Sequence, residues 1–302
     1  MTLKAIKIPS PRTWAALIVL VAGYYTTPPI TSALYHLLAH PLHLHGSGPN
    51  TLGEGTFGIS MVASLIWNIA LFVAVCLTLG QSPSAFPIAD TRWLRHSALG
   101  LATGLAVMLG AILAIWGAQC ASVEPSNQGF ASLIRNGSTW LVLDYLGAAG
   151  EELFARATLL LVSQRFLGWR GAVGLSGVVF MAEHLGNPGA SWVWLLRLFL
   201  QGMLLAYAVY RTRSLWWSIA YHAGWNWVSA PLFGAAGSGY LDEGHALDFF
   251  PHGPTWVTGG SVGPEGSLFA FIAVLAAFCI LRATTKSEPQ GFGAPIVSKA
   301  AT

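Results

Sequence analysis

Gly150-Glu151-Glu152-Leu153-Phe154-Ala155-Arg156 sets two carboxylates and a guanidinium inside a run, 140–162, that is otherwise almost wholly apolar. A charged side chain at membrane depth costs at least ~2.5 kcal/mol even on the lenient insertion scales, so such a cluster marks a working site. Composition says that the run belongs in a membrane. Of 302 residues, 54% are hydrophobic and 9% charged, whereas a soluble domain carries about 25% charged residues. The chain therefore reads as all-α, a polytopic transmembrane helical bundle and a multi-pass integral membrane protein, which in a prokaryote places it in the plasma membrane.

Working outward from that stretch, eight apolar segments approach the ~20 residues that a helix needs to cross the hydrocarbon core. They cover 13–38, 57–79, 94–118, 139–162, 172–186, 192–210, 215–232 and 268–281. Pro28-Pro29 predicts a kink or break in the first. The fifth is short and is expected to pair tightly with the sixth across Asn187-Pro188-Gly189. With the N-terminus inside, twelve of the fifteen Lys and Arg fall in inner segments and Arg135 alone in an outer loop. The positive-inside rule then predicts eight spans with both termini cytoplasmic.

The chain divides accordingly into N-terminal helices (1–137), a core carrying the polar motifs (138–232), an outer Gly/Pro-rich loop (233–266), and a last helix with a polar tail (267–302). The outer loop holds Asp242, Glu243, Asp248 and Glu265 without a base. Glu265 is expected to cap the last helix. No basic run is dense enough for a nucleic-acid partner. Cys76, Cys120 and Cys279 form no CxxC pair and read as packing residues.

Within the core, Glu152 and Arg156 are four apart and share a helical face, so they form the natural ion pair. Glu151 projects about 100° away and is left as the free carboxylate. Two more polar pairs have the same i, i+4 spacing, Phe180/His184 and His222/Asn226. At 1.5 Å per residue, Glu151, His184 and His222 lie about 18, 18 and 10 Å into a ~30 Å core, so one pocket can collect them. A Glu can act as general base on a water, a His can share or orient that proton, and a second His with an Asn amide can donate to a developing oxyanion. This is an inventory for hydrolysis. Asp144, one heptad before Glu151, is expected to line the outer approach, and Arg197 and Gln201 to pair with Glu183.

In this order and on successive helices, Glu151-Glu152-x-x-x-Arg156, Phe180-x-x-x-His184 and His222-x-x-x-Asn226 resemble the motifs of the CPBP family. Its members are intramembrane CAAX-processing and bacteriocin-processing or immunity proteins related to type II CAAX prenyl endopeptidases. Tyr207-x-x-Tyr-Arg-Thr-x-Ser-Leu-Trp216 extends the similarity, which covers 141–229. The resemblance implies an eight-helix membrane endopeptidase in which Glu151 and His184 activate water, His222 and Asn226 form the oxyanion hole, and Glu152 and Arg156 support the site. It implies as partners the lipid bilayer and a protein or peptide substrate, lipidated ones included.

A zinc site from Glu151, His184 and His222 is the competing chemistry. A metal-free glutamate mechanism without cofactor is favoured, because an Asn226 amide suits an oxyanion donor better than a zinc ligand. The competing function is non-proteolytic, a transporter or regulatory or immunity scaffold that uses the same polar core for binding. His36, His40, His43 and His45 at the outer end of the first span read as a solvated His-rich loop rather than a metal site.

Overall fold

The computed structural model describes residues 9–44, 48–85, 88–286, 288–289 and 291–292. His45, Lys4, Lys7, Lys299 and the last ten residues lie outside the described residues. Of the described residues 74% are helical, in eight helices besides a one-turn segment and with no closed sheet, so the all-α bundle stands. α1 (Pro11–Ala39) starts where the Ser10 side chain accepts a hydrogen bond from the Thr13 N–H, with proline at the first helical position, where its missing N–H is harmless. α2 (Glu54–Leu79) ends on Gly80 in the left-handed region, the usual helix stop. α3 (Trp93–Gly117) and α4 (Phe130–Glu152) follow.

α4 does not stop at the motif. It passes through a π-helical segment, Leu153–Thr158, into α5 (Leu159–Glu183), which is broken at Gly168 with φ 67° and ψ 171°. The rods corresponding to the fourth and fifth apolar segments are thus 130–167 and 169–183. α6 (Trp192–Thr212) is capped by Ser191, and α7 (Trp216–Trp227) unwinds into a π turn, Val228–Leu232. After the outer loop, which holds a one-turn α8 (Thr255–Thr258), α9 (Leu268–Thr284) closes the bundle. Among the described residues four helices, Pro11–Leu42, Glu54–Leu79, Trp93–Gly117 and Trp192–Thr212, are long and apolar enough to cross a membrane, and Leu268–Thr284 is a shorter apolar helix.

Glycines set how closely the site helices approach. A Cβ on Gly100 or Gly104 of α3 would lie 2.2 Å from a backbone oxygen of α7, Trp217 O or Tyr221 O. One on Gly224 of α7 would meet Leu101 O of α3 at 2.8 Å. α5 and α6 use Gly177 and Gly202 in the same way, the small-residue contact by which membrane helices gain close packing. The expected α5–α6 pair, turning through Asn187, Pro188 and Gly189, is present.

Four expectations change. α1 runs unbroken through Pro28-Pro29, braced where Trp67 Nε1 donates to Thr27 Oγ1 at 2.9 Å. α4 begins at Phe130 rather than at 139, because the polar first turns extend it beyond the apolar run. Glu265 is not the cap of α9, since Ser267 accepts the hydrogen bond from Ala270 N–H. Glu265 is instead fully buried, and it accepts hydrogen bonds from Trp225 Nε1 at 3.0 Å, Ser238 Oγ at 3.0 Å and Arg197 Nη2 at 2.8 Å. Arg197 therefore pairs with Gln201 and with Glu265, not with Glu183.

The outer loop is tied down at several points. β1 (Thr51–Leu52) pairs in parallel with β3 (Leu241–Asp242), and β2 (Ala121–Pro125) pairs antiparallel with β4 (Leu247–Pro251), Ala121 opposite Pro251. Trp140 Nε1 donates to Glu243 O at 2.8 Å, and Asn187 Nδ2 to Ser238 O at 2.9 Å. The loop is thus laid over the ends of α4, α5 and α6.

Candidate active site

The last turn of α4 points its two acids in different directions. Glu152 turns inward and is fully buried, as is Arg156. Glu152 Oε1 lies 3.2 Å from Arg156 Nη1, so the expected i, i+4 pair forms although Arg156 sits in the π segment. The guanidinium also packs over the Phe180 ring, 4.2 Å from its centroid, a cation–π contact that suits a desolvated Arg. Ser176 Oγ donates to Ala155 O at 3.0 Å and Asn68 Nδ2 to Gly150 O at 3.1 Å. Side-chain donors are a usual way for carbonyls freed around a π bulge to be satisfied, and such bulges are frequent at functional sites.

The same Glu152 oxygen accepts from His222 Nδ1 at 3.0 Å. This bond fixes the ring of His222, which is 5% exposed, so that Nε2 lies 4.0 Å from Glu151 Oε2. Glu151 keeps a side chain 41% exposed, and that exposure opens into cavities. One, of about 360 Å³, is lined by Glu151, His184, His222 and Asn226 together, with Asp144 and Asp242 on its wall. A second, of about 540 Å³, lies between α1, α2 and α5 and shares Glu151 and His184 with the first.

His184 caps α5. Its Nδ1 lies 2.8 Å from Phe180 O, and a carbonyl only accepts, so Nδ1 carries the proton and Nε2 is left as an acceptor. Phe180 touches all three groups, with ring centroids 4.8 Å from His184 and 5.7 Å from His222. The motif phenylalanine is thus the packing block that spaces Arg156 and both histidines.

Glu151, His184, His222 and Asn226 therefore meet in one cavity, and Glu152 and Arg156 stand behind them. Asp144 lines the same cavity. Sequence reasoning missed Asn68, Ser176 and Asp242, and the contact of His222 with Glu152. Asn68 carried a signal, being an amide in an apolar span; Asp242 sits in a Gly-rich loop whose path only the fold reveals.

A tetrahedral zinc with ligand bonds of about 2.0–2.2 Å would hold two donor atoms roughly 3.3–3.6 Å apart, closer than the 4.0 Å between His222 Nε2 and Glu151 Oε2. No group of three or more His, Cys, Asp or Glu among the described residues is disposed to hold a metal ion, His36, His40 and His43 included.

Residues 136–228 match the family described as type II CAAX prenyl endopeptidase Rce1-like. The match starts at Asn136 in α4 and ends just after Asn226, so it takes in all three polar motifs. No curated protein matches the chain.

Proposed function

We propose that this chain is an intramembrane endopeptidase that cleaves membrane-associated polypeptides with a Glu-activated water, a reading supported by the match of residues 136–228 to the family described as type II CAAX prenyl endopeptidase Rce1-like. The observation that carries the reading is the meeting of Glu151, His184, His222 and Asn226 on one cavity. Glu151, open to that cavity, takes a proton from water. His184, presenting an acceptor Nε2, holds the same water from the other side. The water attacks the scissile carbonyl, and the charge that develops on its oxygen is met by the Asn226 amide and by His222 as an imidazolium, protonated on both ring nitrogens so that Nε2 donates to the oxyanion while Nδ1 donates to Glu152. Glu152 holds His222 in orientation through Nδ1, and Arg156 compensates the buried Glu152 charge. Glu151 or His184 returns the proton to the leaving amine.

The second cavity, between α1, α2 and α5, reaches the same two residues, so a polypeptide can approach from the side as well as from under the loop. Substrates with a lipidated C-terminus, as in the family's name, are part of the proposal. The test is hydrolysis by the purified full chain in lipid nanodiscs of a farnesylated peptide ending in a CAAX sequence and of its unmodified counterpart. The wild type is expected to cleave, and Glu151→Gln, which keeps size and loses the base, to be slower by about 10²–10⁴-fold. Cleavage at the wild-type rate by the variant would remove Glu151 from the mechanism.

A further inference from the structure

Asp144 and Asp242 arrive at the site cavity from different parts of the fold, one from α4 and one from β3 in the outer loop. Each is 5% exposed. Both line the cavity that holds Glu151, and burial pushes the Asp242 carboxyl up to about 8. Asp144 Oδ2 is buried without a hydrogen-bond partner among the described residues, as is Glu151 Oε2. The wall contains three carboxyl groups and no lysine or arginine. A buried carboxylate is normally paired, and one left unpaired costs several kcal/mol in general. A carboxyl raised this far keeps its proton near neutral pH while nothing positive stands beside it, and a cation entering the cavity that both side chains line would draw both to the ionised form.

We propose that Asp144 and Asp242 form a subsite, on the wall of the cavity that holds Glu151, for a positively charged nitrogen of the substrate, either a Lys or Arg side chain or a free N-terminal ammonium. The proposal rests on the endopeptidase reading above. Asp144 is one heptad from Glu151 on nearly the same face of α4, a separation of about 10 Å along the axis. An extended chain covers that distance in roughly three residues. The subsite therefore selects a cation two to four residues from the scissile bond, on the side of the outer loop. A cation there is desolvated between two carboxylates, so its loss costs about tenfold or more in kcat/KM.

The test uses the full chain in nanodiscs and a mixture of synthetic peptides, with cleavage sites read by mass spectrometry. Each sequence is made with Lys, Arg, norleucine or Glu at one position, and with a free or acetylated N-terminus. Cleaved peptides are expected to carry Lys or Arg, or to begin with a free amine, two to four residues from the cut, and the two arms tell which source serves. In Asp144→Asn and Asp242→Asn, which keep shape and remove charge, the kcat/KM ratio of Lys to norleucine peptides should fall about tenfold. Should Asp144→Asn fail to accumulate, Asp242→Asn in the loop carries the comparison.

Cleavage without charge preference, or a preference unchanged in the variants, overturns the subsite and leaves the peptidase reading standing. No cleavage at all by the wild type contradicts the peptidase reading. Binding then decides the subsite: Lys peptides should raise the melting temperature of Glu151→Gln protein more than norleucine peptides do, and Asp144→Asn in that background should erase the difference. An equal shift for both peptides would overturn it.

Discussion

Glu151 and Glu152 are neighbours in the chain, and the 100° helical step between them separates their work. Glu152 is fully buried and serves two partners, Arg156 and His222, while Glu151 keeps its carboxylate in the cavities. The sequence shows the first half of this, since i, i+4 spacing makes the Glu152–Arg156 pair legible. It does not show that His222 docks on Glu152, because that contact joins residues 70 positions apart. Glu152 is thus a positioning residue whose removal strands a buried guanidinium. Glu152→Gln should destabilise the protein by about 3–5 kcal/mol, the usual cost of breaking one side of a buried ion pair. Unfolding by denaturant in detergent measures it. The double variant Glu152→Gln/Arg156→Met should recover part of that loss, and equal stability of single variant and wild type would remove Glu152 from the framework.

At the scale of elements, the positions of His222 and Asn226 depend on how closely α7 lies against α3. Gly104 leaves no room for a side chain, since its Cβ would sit 2.2 Å from Tyr221 O and 3.0 Å from Trp225 N. Tyr221 precedes His222 and Trp225 precedes Asn226, so any bulk at Gly104 pushes on both polar residues at once. Gly104→Val should cost about 1–3 kcal/mol in overpacking and up to ~10²-fold in turnover, the scale of a 1 Å misplacement of reacting groups. Turnover of any cleaved peptide, measured beside thermal stability, checks both; full activity would mean that α7 is positioned otherwise. The eight helical segments were legible because apolar length and punctuation by charge are local properties. The π segment was not, since it depends on Asn68 and Ser176 reaching in from other helices.

The whole molecule is a helical bundle with a loop fastened over its site. The loop's main anchor, Glu265 among Arg197, Trp225 and Ser238, was hidden in a Gly/Pro-rich stretch that offers no periodicity to read. Sequence alone ranked it as a helix cap because an acid near a helix start usually serves the macrodipole. Residue chemistry at the core was legible for a different reason: charge in an apolar span is rare enough to be noticed. From the distribution of Lys and Arg we propose that the loop lies outside and both termini lie in the cytoplasm. Single cysteines at Ser84 and His252, in a background without the three native cysteines, should respectively resist and accept a membrane-impermeant thiol reagent in intact cells; the reverse pattern would invert the topology. The central claim, that this fold hydrolyses peptide bonds with Glu151 as base, is met most directly by comparing new peptide termini in membranes of cells that express the wild type or Glu151→Gln. The account predicts a set of termini present with the wild type and lost with the variant at equal protein levels. Identical sets would contradict it and favour a binding role for the same polar core.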